Sequence, residues 1–320
     1  MIRKLFSLLA ILFVLVSCGE SRMAVSTADF PITNGSPPSL GHAAVVALLQ
    51  SQGQRMRFFC SGTLIRPNVV LTAGHCLQDG RGNPKKLWVF TGDNLFVGGT
   101  LYAVSKTATH PDYSPSPVMG YVNDIALVRL KSSVLGITPI PTLPKDKLLT
   151  SADAGAVVSF VGFGQDSEGP SGSGSIGRKL QVSGTIGGVS NPCTYSDGTI
   201  ASCLNSELSQ VWYKEGLGQG GPCFGDSGGP MLIVRDGASY ASGVTSYGDA
   251  TCSRYGVSTR PDAYECWINE FSSPGSCPSD PGGGDPPPLC DLLPAGDPCF
   301  SNSDCCSGKC RGKPGLKTCR

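Results

Sequence analysis

Residues 225–230 read Gly-Asp-Ser-Gly-Gly-Pro and place a serine among three glycines. Two other segments carry the groups that a reactive serine needs: residues 71–76 read Leu-Thr-Ala-Gly-His-Cys, and residues 123–127 read Asn-Asp-Ile-Ala-Leu. A serine hydroxyl attacks a carbonyl only when a base removes its proton, and histidine suits that task near neutral pH. A carboxylate is needed to fix the imidazole tautomer. The candidate nucleophile, base and orienting acid are therefore Ser227, His75 and Asp124.

The order of these residues along the chain distinguishes between possible architectures. Residues 225–229 also fit the G-x-S-x-G turn of α/β-hydrolases, in which the histidine follows the serine. Here all three histidines precede the serine, and they are His42, His75 and His110. The subtilisin order requires an acid before the histidine, and only Glu20 and Asp29 precede His75, both in a segment that we interpret as a tether. The order histidine, aspartate, serine therefore remains.

The chain from Ala43 onward consists of short β-rich runs separated by Gly, Pro, Asn and Asp. Examples are residues 45–49, 69–71 and 87–90. Many short strands with regular turn signals indicate an all-β fold, and roughly 240 residues of this pattern suit a pair of barrels. The apolar spacing over residues 262–271 predicts one short amphipathic helix at the end of this region.

Further motifs surround the three reactive segments. They are Cys-Ser-Gly-Thr-Leu-Ile at 60–65, His-Pro-Asp-Tyr at 110–113, Gly-Phe-Gly at 162–164 and Ser-Tyr-Gly at 246–248. With these motifs, residues 32–271 resemble the trypsin/chymotrypsin family of serine proteases. The resemblance implies a chymotrypsin-like double β-barrel with a short C-terminal helix.

The resemblance also implies a role for each reactive residue. His75 would act as general base and acid, Asp124 would orient it, and Ser227 would be the nucleophile. The glycines beside the serine allow a sharp turn, so that the amides of Gly225 and Ser227 can both point at the developing oxyanion. A structural relative that lacks activity typically loses one of the three residues, and none is lost here.

Substrate-binding positions follow from the same resemblance. Residues 246–248 would pair with the substrate backbone as an added strand, although packing is an equal explanation for the side chains of Ser246 and Tyr247. The floor and walls of the primary pocket would be Gly221, Gly248 and Gly256. An uncharged slot of this kind favours a large hydrophobic or aromatic residue before the scissile bond, the P1 residue. Pro222 and Asp249, which lie beside these glycines, weaken that expectation.

Residues 32–35, Ile-Thr-Asn-Gly, resemble the mature N-terminus of the family and imply a zymogen. Cleavage before Ile32 would free an ammonium group that pairs with a buried Asp226 and orders the pocket. In the alternative interpretation, Asp226 is only a turn residue. Pro31 precedes the cleavage point, and few proteases cut after proline, so the identity of the activating enzyme stays open.

The N-terminal residues predict export. Arg3 and Lys4 precede an apolar run over residues 5–16, and Leu-Val-Ser-Cys at 15–18 resembles a bacterial lipobox. We therefore interpret residues 1–17 as a signal peptide, Cys18 as a lipid-attachment site and residues 18–31 as a tether or propeptide. The alternative is an ordinary secretory signal that is cut further on, for example after Ala28. Either interpretation predicts a membrane-anchored lipoprotein or an extracellular protein.

The chain contains 15 cysteines, which is typical of an exported, disulfide-bonded protein. If Cys18 is lipidated, the remaining number is even. The family resemblance implies three pairs, which are Cys60 with Cys76, Cys193 with Cys203, and Cys223 with Cys252. Cys266 and Cys277 are then left to each other by elimination.

The composition changes after the predicted helix. Residues 272–289 are rich in Pro, Gly and Ser and predict a linker, and residues 290–320 form a separate module with six cysteines. Six cysteines can pair in 15 ways. The module resembles an inhibitor cystine knot (knottin), which implies the pairs Cys290–Cys306, Cys299–Cys310 and Cys305–Cys319. Metal binding by these thiols is the rival interpretation, which the export signal and the absence of histidine disfavour.

The formal net charge of +1 argues against nucleic acid as a partner. We expect no cofactor and no metal, protein or peptide substrates, membrane attachment through Cys18, and a surface or protein ligand for the C-terminal module. The leading hypothesis is an extracytoplasmic serine endopeptidase. One alternative is a non-catalytic protease-like scaffold that binds or regulates through its surface and its knottin. In another, the knottin inhibits its own protease until it is removed.

Overall fold

The computed structural model describes residues 32, 35–37, 42–116, 120–172, 174–189, 193–194, 200–201, 210–214, 220–276, 310–313 and 316–319. The predicted signal peptide, Cys18, the rest of the tether and most of the predicted linker lie outside these residues. The described part of the chain is built mainly from β-strands, which agrees with the expected all-β class.

The first half of the described chain forms a closed barrel. Its elements in chain order are β1 (Val45–Gln52), β2 (Arg55–Arg66), β3 (Val69–Thr72), β4 (Leu87–Asn94), β5 (Gly98–Thr109), β6 (Ser114–Ser116), β7 (Gly120–Val122) and β8 (Ala126–Leu130). Six of these strands close the barrel in the order β1-β2-β3-β8-β5-β4, and β6 and β7 form a separate two-stranded sheet. The sharp turn between Gln52 and Arg55 contains Gly53 at φ +63°, a conformation that glycine adopts without steric cost.

A second closed barrel follows. Its elements are β9 (Val157–Gly162), β10 (Leu180–Gly188), β11 (Cys193–Thr194), β12 (Ile200–Ala201), β13 (Gln210–Lys214), β14 (Pro230–Arg235), β15 (Ala238–Gly248) and β16 (Tyr255–Thr259). The closing order is β10-β13-β16-β15-β14-β9, all antiparallel, while β11 and β12 pair with each other. The expected pair of barrels is therefore confirmed.

Apolar side chains from the strands fill each barrel. In the first barrel Leu48, Leu64 and Leu127 are completely buried. In the second barrel the core includes Phe160 and Tyr213, whose ring centroids lie 4.3 Å apart. The first cluster also includes Val161, Leu232 and Val244 from strands of the second barrel, so the two barrels pack against each other. The loops that carry the three reactive residues extend from both barrels.

The chain leaves the second barrel through a 3₁₀ turn, Pro261–Tyr264, and the helix α1, Glu265–Ser272. The predicted helix is confirmed, although its first residues form the 3₁₀ turn. Ile268 and Phe271 are buried and belong to the core cluster of the first barrel, so the helix closes over that barrel. The Cζ atom of Arg129, from β8, lies 5.0 Å from the centroid of the Phe271 ring. The Arg129 guanidinium also donates a hydrogen bond to the backbone carbonyl oxygen of Phe271.

The described ranges contain three further 3₁₀ turns, at Gly74–Leu77, Lys145–Lys147 and Ser151–Asp153. In the C-terminal module, two strands form an antiparallel hairpin, β17 (Cys310–Lys313) and β18 (Leu316–Cys319). The four other cysteines of this module, together with Cys203 and Cys277, lie outside the described residues. No helix among the residues that the structure describes is long and apolar enough to cross a bilayer.

Candidate active site

His75 lies in the 3₁₀ turn that follows β3. Its backbone N–H donates a hydrogen bond to Asp124 Oδ1 at 2.8 Å, and its ring Nδ1 lies 2.7 Å from Asp124 Oδ2. The next residue, Cys76, forms a disulfide with Cys60 of β2. Two contacts to one carboxylate and one covalent link therefore fix the position of the imidazole, and Nε2 remains on the side away from Asp124.

Asp124 precedes β8 and is completely buried. Besides the two groups of His75, the hydroxyl of Ser246 donates to its Oδ2 at 2.5 Å. Burial alone would raise the pKa of this carboxyl, but the adjacent His75 and the hydrogen bonds from His75 and Ser246 outweigh that effect and lower the pKa below its usual value. Asp124 is therefore held as a carboxylate, which favours the tautomer of His75 with the proton on Nδ1.

A tyrosine that the sequence reasoning missed covers the histidine. The Tyr121 ring stacks on the His75 ring, with centroids 4.8 Å apart and planes inclined by 17°. Tyr247 meets Tyr121 edge-on at 6.3 Å, and Gln210 links the two because its amide donates to the Tyr121 carbonyl oxygen and its Oε1 accepts from the Tyr247 hydroxyl. Tyr121 lies three residues before Asp124, and this nearness in sequence was the available signal.

The loop that carries Ser227 approaches the histidine from the second barrel. The Ser227 carbonyl oxygen accepts a hydrogen bond from the Ser61 N–H at 2.9 Å. Cys76 Sγ lies 3.7 Å from this oxygen and 3.8 Å from His75 Nε2. The structure therefore brings the serine segment and the imidazole to the same place, beside the disulfide.

Glycine is required at two positions of this loop. Gly225 adopts φ +100° and Gly228 φ +81°, both in the region that other residues rarely enter. A Cβ on Gly228 would lie 2.1 Å from Thr72 Oγ1, so the backbone there packs directly against β3. These constraints explain why a serine at this turn is flanked by glycines.

The peptide between Phe224 and Gly225 has a defined orientation. Its carbonyl oxygen accepts a hydrogen bond from the Gln165 N–H at 2.8 Å. Because the C=O and N–H of a trans peptide point in opposite directions, the Gly225 N–H faces away from Gln165. The Gly225 carbonyl oxygen accepts from Ser61 Oγ at 3.0 Å, which holds the next peptide as well.

Asp226 and Ile32 are both buried. Asp226 Oδ1 accepts from the Gly164 N–H at 2.7 Å, and its Oδ2 accepts from the Cys223 N–H at 2.9 Å. Burial raises the pKa of this carboxyl to about 7, although the two hydrogen bonds oppose the shift. Ile32 is fully buried in the core of the second barrel and has φ +58°.

The glycines at 248 and 256 lie opposite each other on β15 and β16. The disulfide Cys223–Cys252 links the segment that contains the buried Gly221 to the loop between these strands. The Asp249 carboxylate in that loop accepts hydrogen bonds from its own loop, including the backbone N–H groups of Arg254 and Tyr255. Although burial opposes it, these bonds and those from Thr251 lower the pKa of Asp249. Its charge is therefore satisfied within the loop.

One cluster of potential metal ligands occurs at this site. The ligand atoms of Cys60, His75 and Cys76 lie within 4.8 Å of one another. Both sulfur atoms belong to the same disulfide, so neither is available as a thiolate ligand. Cys266 is also disulfide-bonded, and its expected partner Cys277 lies outside the described residues.

Comparison with known proteins identifies the family. The trypsin family model matches residues 32–268. Pig (Sus scrofa) coagulation factor XII is 30% identical over 278 residues, which cover 81% of this chain but only 42% of the factor. Chymotrypsin-like elastase family member 1 of Macaca fascicularis is 30% identical over 77% of this chain and 92% of its own length, and trypsin of Saccharopolyspora erythraea is 31% identical over 70% and 87%. The two barrels and this similarity show that the chain belongs to the trypsin family of serine proteases.

Proposed function

We propose that this protein is an extracytoplasmic serine endopeptidase in which Ser227 is the nucleophile, His75 the general base and acid, and Asp124 the orienting carboxylate. The observation that carries the proposal is the bidentate contact of Asp124 with His75, at 2.8 Å to the backbone and 2.7 Å to the ring, beside the Ser227 segment. A carboxylate that holds Nδ1 leaves Nε2 to exchange protons with a hydroxyl.

The proposed reaction proceeds through an acyl-enzyme. The Ser227 oxygen attacks the scissile carbonyl carbon and its proton moves to His75 Nε2. Collapse of the tetrahedral intermediate breaks the C–N bond, and the same proton passes to the leaving amine. A water molecule then repeats the sequence and releases the acid.

The amides of Gly225 and Ser227 would stabilise the oxyanion in both steps. The orientation of the Phe224 carbonyl toward Gln165 supports this role, because it turns the Gly225 N–H away from Gln165 and leaves it without that partner. An oxyanion-hole donor of this kind is worth about 3 to 4 kcal/mol of transition-state stabilisation.

Residues Ser246 to Gly248 at the end of β15 would pair with the substrate backbone, and Gly221, Gly248 and Gly256 would surround the P1 side chain. These three positions are glycines and place no charge in the pocket, and the Asp249 carboxylate accepts hydrogen bonds within its own loop. Both observations support an apolar P1 residue.

Activation would occur by cleavage before Ile32. The new ammonium group would pair with Asp226, whose buried carboxyl has a raised pKa and accepts hydrogen bonds only from backbone N–H groups within the described residues. The burial of Ile32 supports this proposal, since this residue already packs in the core of the barrel whose strand β14 follows the Asp226 turn.

We propose further roles for the segments that flank the protease domain, residues 1–31 and 272–320. Residues 1–17 would direct export, a lipidated Cys18 with residues 18–31 would tether the enzyme to a membrane, and the linker at 272–289 would present the cystine-knot module at 290–320 to a surface or protein ligand. The protease domain would extend over residues 32–271. These assignments rest on the sequence patterns described above.

The test is labelling of the full chain and its Ser227→Ala variant with a fluorophosphonate probe, before and after exposure to supernatant of the host culture, followed by N-terminal sequencing. We expect labelling of the wild type alone, together with a new terminus at Ile32. Labelling without that terminus would retain the enzyme and reject the activation step. No labelling under any condition would favour the non-catalytic scaffold.

A further inference from the structure

Tyr213, Gly256 and Gly248 lie in one row across three neighbouring strands. Tyr213 of β13 is opposite Gly256 of β16, and Gly256 is opposite Gly248 of β15. Residues that are directly opposite in antiparallel pairs project from the same face of the sheet. This face therefore presents one tyrosine followed by two positions without a side chain, and these two are the wall positions of the proposed primary pocket.

The end of the Tyr213 ring fills the space above Gly256. A Cβ placed on Gly256 would lie 2.3 Å from both the Cζ and the hydroxyl oxygen of Tyr213 and 2.4 Å from its Cε2. Such distances are well inside van der Waals contact, so the phenol occupies the volume that a side chain at position 256 would take. The glycine does not leave an open wall, because its neighbour on β13 covers it.

Packing holds this ring in place. Tyr213 is only 1% exposed, and its ring lies against Phe160 with centroids 4.3 Å apart. Both belong to the core of the second barrel, where Met231 is also completely buried. A side chain in a close-packed core has no alternative position available without displacing its neighbours. A substrate side chain could therefore not push the phenol aside without disturbing this core.

We propose that Tyr213 determines the length of the P1 side chain that this protease accepts. The phenol closes the inner end of the slot between Gly248 and Gly256, so that small and medium aliphatic residues such as alanine and valine fit and phenylalanine does not. The inference rests on the proposed function. It replaces the large aromatic preference that the three glycines alone predict, and the difference arises because Tyr213 reaches the slot from a neighbouring strand.

The test compares peptide p-nitroanilides that differ only at P1, as alanine, valine, leucine or phenylalanine. The enzyme is the mature full chain, and fluorophosphonate labelling gives its active-site concentration. For the wild type we expect kcat/KM for the better of the alanine and valine substrates to exceed that for phenylalanine at least about tenfold. Tyr213→Ala should raise kcat/KM for the phenylalanine substrate about tenfold or more and change that for alanine much less.

The matched control is Tyr102→Ala, which removes a half-buried tyrosine ring from β5 of the first barrel and should leave the P1 ratio unchanged. Should Tyr213→Ala fail to fold, the inactivation rates of the wild type with valine and phenylalanine diphenyl phosphonates provide the same comparison, and valine should react faster. A wild type that prefers phenylalanine, or a labelled Tyr213→Ala enzyme with an unchanged ratio, would overturn the inference while leaving the proposed function intact. Absence of labelling in the wild type would overturn both.

Discussion

The hydroxyl of Ser246 lies 2.5 Å from Oδ2 of Asp124, the oxygen that also contacts His75 Nδ1. One carboxylate oxygen therefore links a residue on β15 of the second barrel to a histidine on the first. The contact joins the two halves of the site without involving Ser227. We therefore expect the hydroxyl of Ser246 to position this carboxylate, in addition to the proposed pairing of the Ser246 backbone with the substrate.

Ser246→Ala should lower kcat by roughly tenfold, because a hydrogen bond to a charged group contributes about 1.5 to 3 kcal/mol and only part of that is used in catalysis. KM should change little. Because the lost donor helps to lower the pKa of Asp124, the variant should also lose activity at a higher pH than the wild type as the solution is acidified. Ser246→Thr keeps a hydroxyl and is the conservative rescue. A pH profile of kcat that is identical in wild type and Ser246→Ala would show that the hydroxyl serves packing alone.

Gly228→Ala should abolish fluorophosphonate labelling and destabilise the protein. The residue has φ +81°, and the added Cβ would meet Thr72 Oγ1 at 2.1 Å. Gly237→Ala is a matched control, since Gly237 has φ +76° but nothing lies within 4 Å of its Cβ position. The control should lose only about 1 kcal/mol, the cost of left-handed backbone, and should label normally. Equal losses of unfolding free energy in urea would contradict the steric argument.

The precursor should become less stable as the pH rises from about 4 to about 7. Asp226 has a folded-state pKa of about 7 against an ordinary value of 3.8, so over this interval the folded chain keeps a proton that the unfolded chain releases. The effect is complete above pH 7 and absent below pH 4. It should be measured by denaturant unfolding in a Ser227→Ala background, which prevents self-cleavage.

Asp226→Asn should remove this component of the pH dependence, because the amide does not titrate. The same variant should block activation, since no carboxylate remains to pair with the Ile32 ammonium. If the unfolding free energy of the precursor does not change between pH 4 and 7, in wild type and variant alike, burial does not raise the pKa of Asp226.

Thr259→Val should raise the unfolding free energy by about 1 kcal/mol, the order of the penalty for a buried polar group without a hydrogen bond. Thr259 is completely buried on β16, and its hydroxyl has no partner in the described structure. Thr245→Val, on β15 next to Val244, the residue opposite Thr259, offers a comparison on the same sheet. Thermal unfolding of both variants checks the prediction, and a loss of stability in Thr259→Val would show that the hydroxyl is satisfied.

Local sequence was sufficient where the chemistry depends on neighbours along the chain. A few adjacent residues encode the glycines of the 225–230 turn and the short strand runs. The order of His75, Asp124 and Ser227 can be read directly from the chain. In the structure His75 contacts Asp124, and the Ser227 carbonyl oxygen lies beside Cys76. The start of the last helix differed because Pro261 begins a 3₁₀ turn, a boundary effect that apolar spacing does not encode.

Pairing between distant strands was not predictable in the same way. Tyr213 reaches the slot only because β13 pairs with β16 in a register that places it opposite Gly256. A one-residue shift would move the ring to the other face of the sheet, where Trp212 now lies against Val257. The stacking of Tyr121 on His75 likewise depends on how a loop folds back, which no periodicity in the sequence records.

The disulfide between Cys60 and Cys76 has a consequence for when the enzyme can become competent. In a reducing cytosol both cysteines would remain thiols, and the turn that carries His75 would lose its covalent link to β2. If the chain is exported as proposed, oxidation would complete the support of the imidazole only outside the compartment where the chain is made. Under the proposed function, the disulfide would then delay full support of His75 until export and protect the proteins of the cell that synthesises the enzyme.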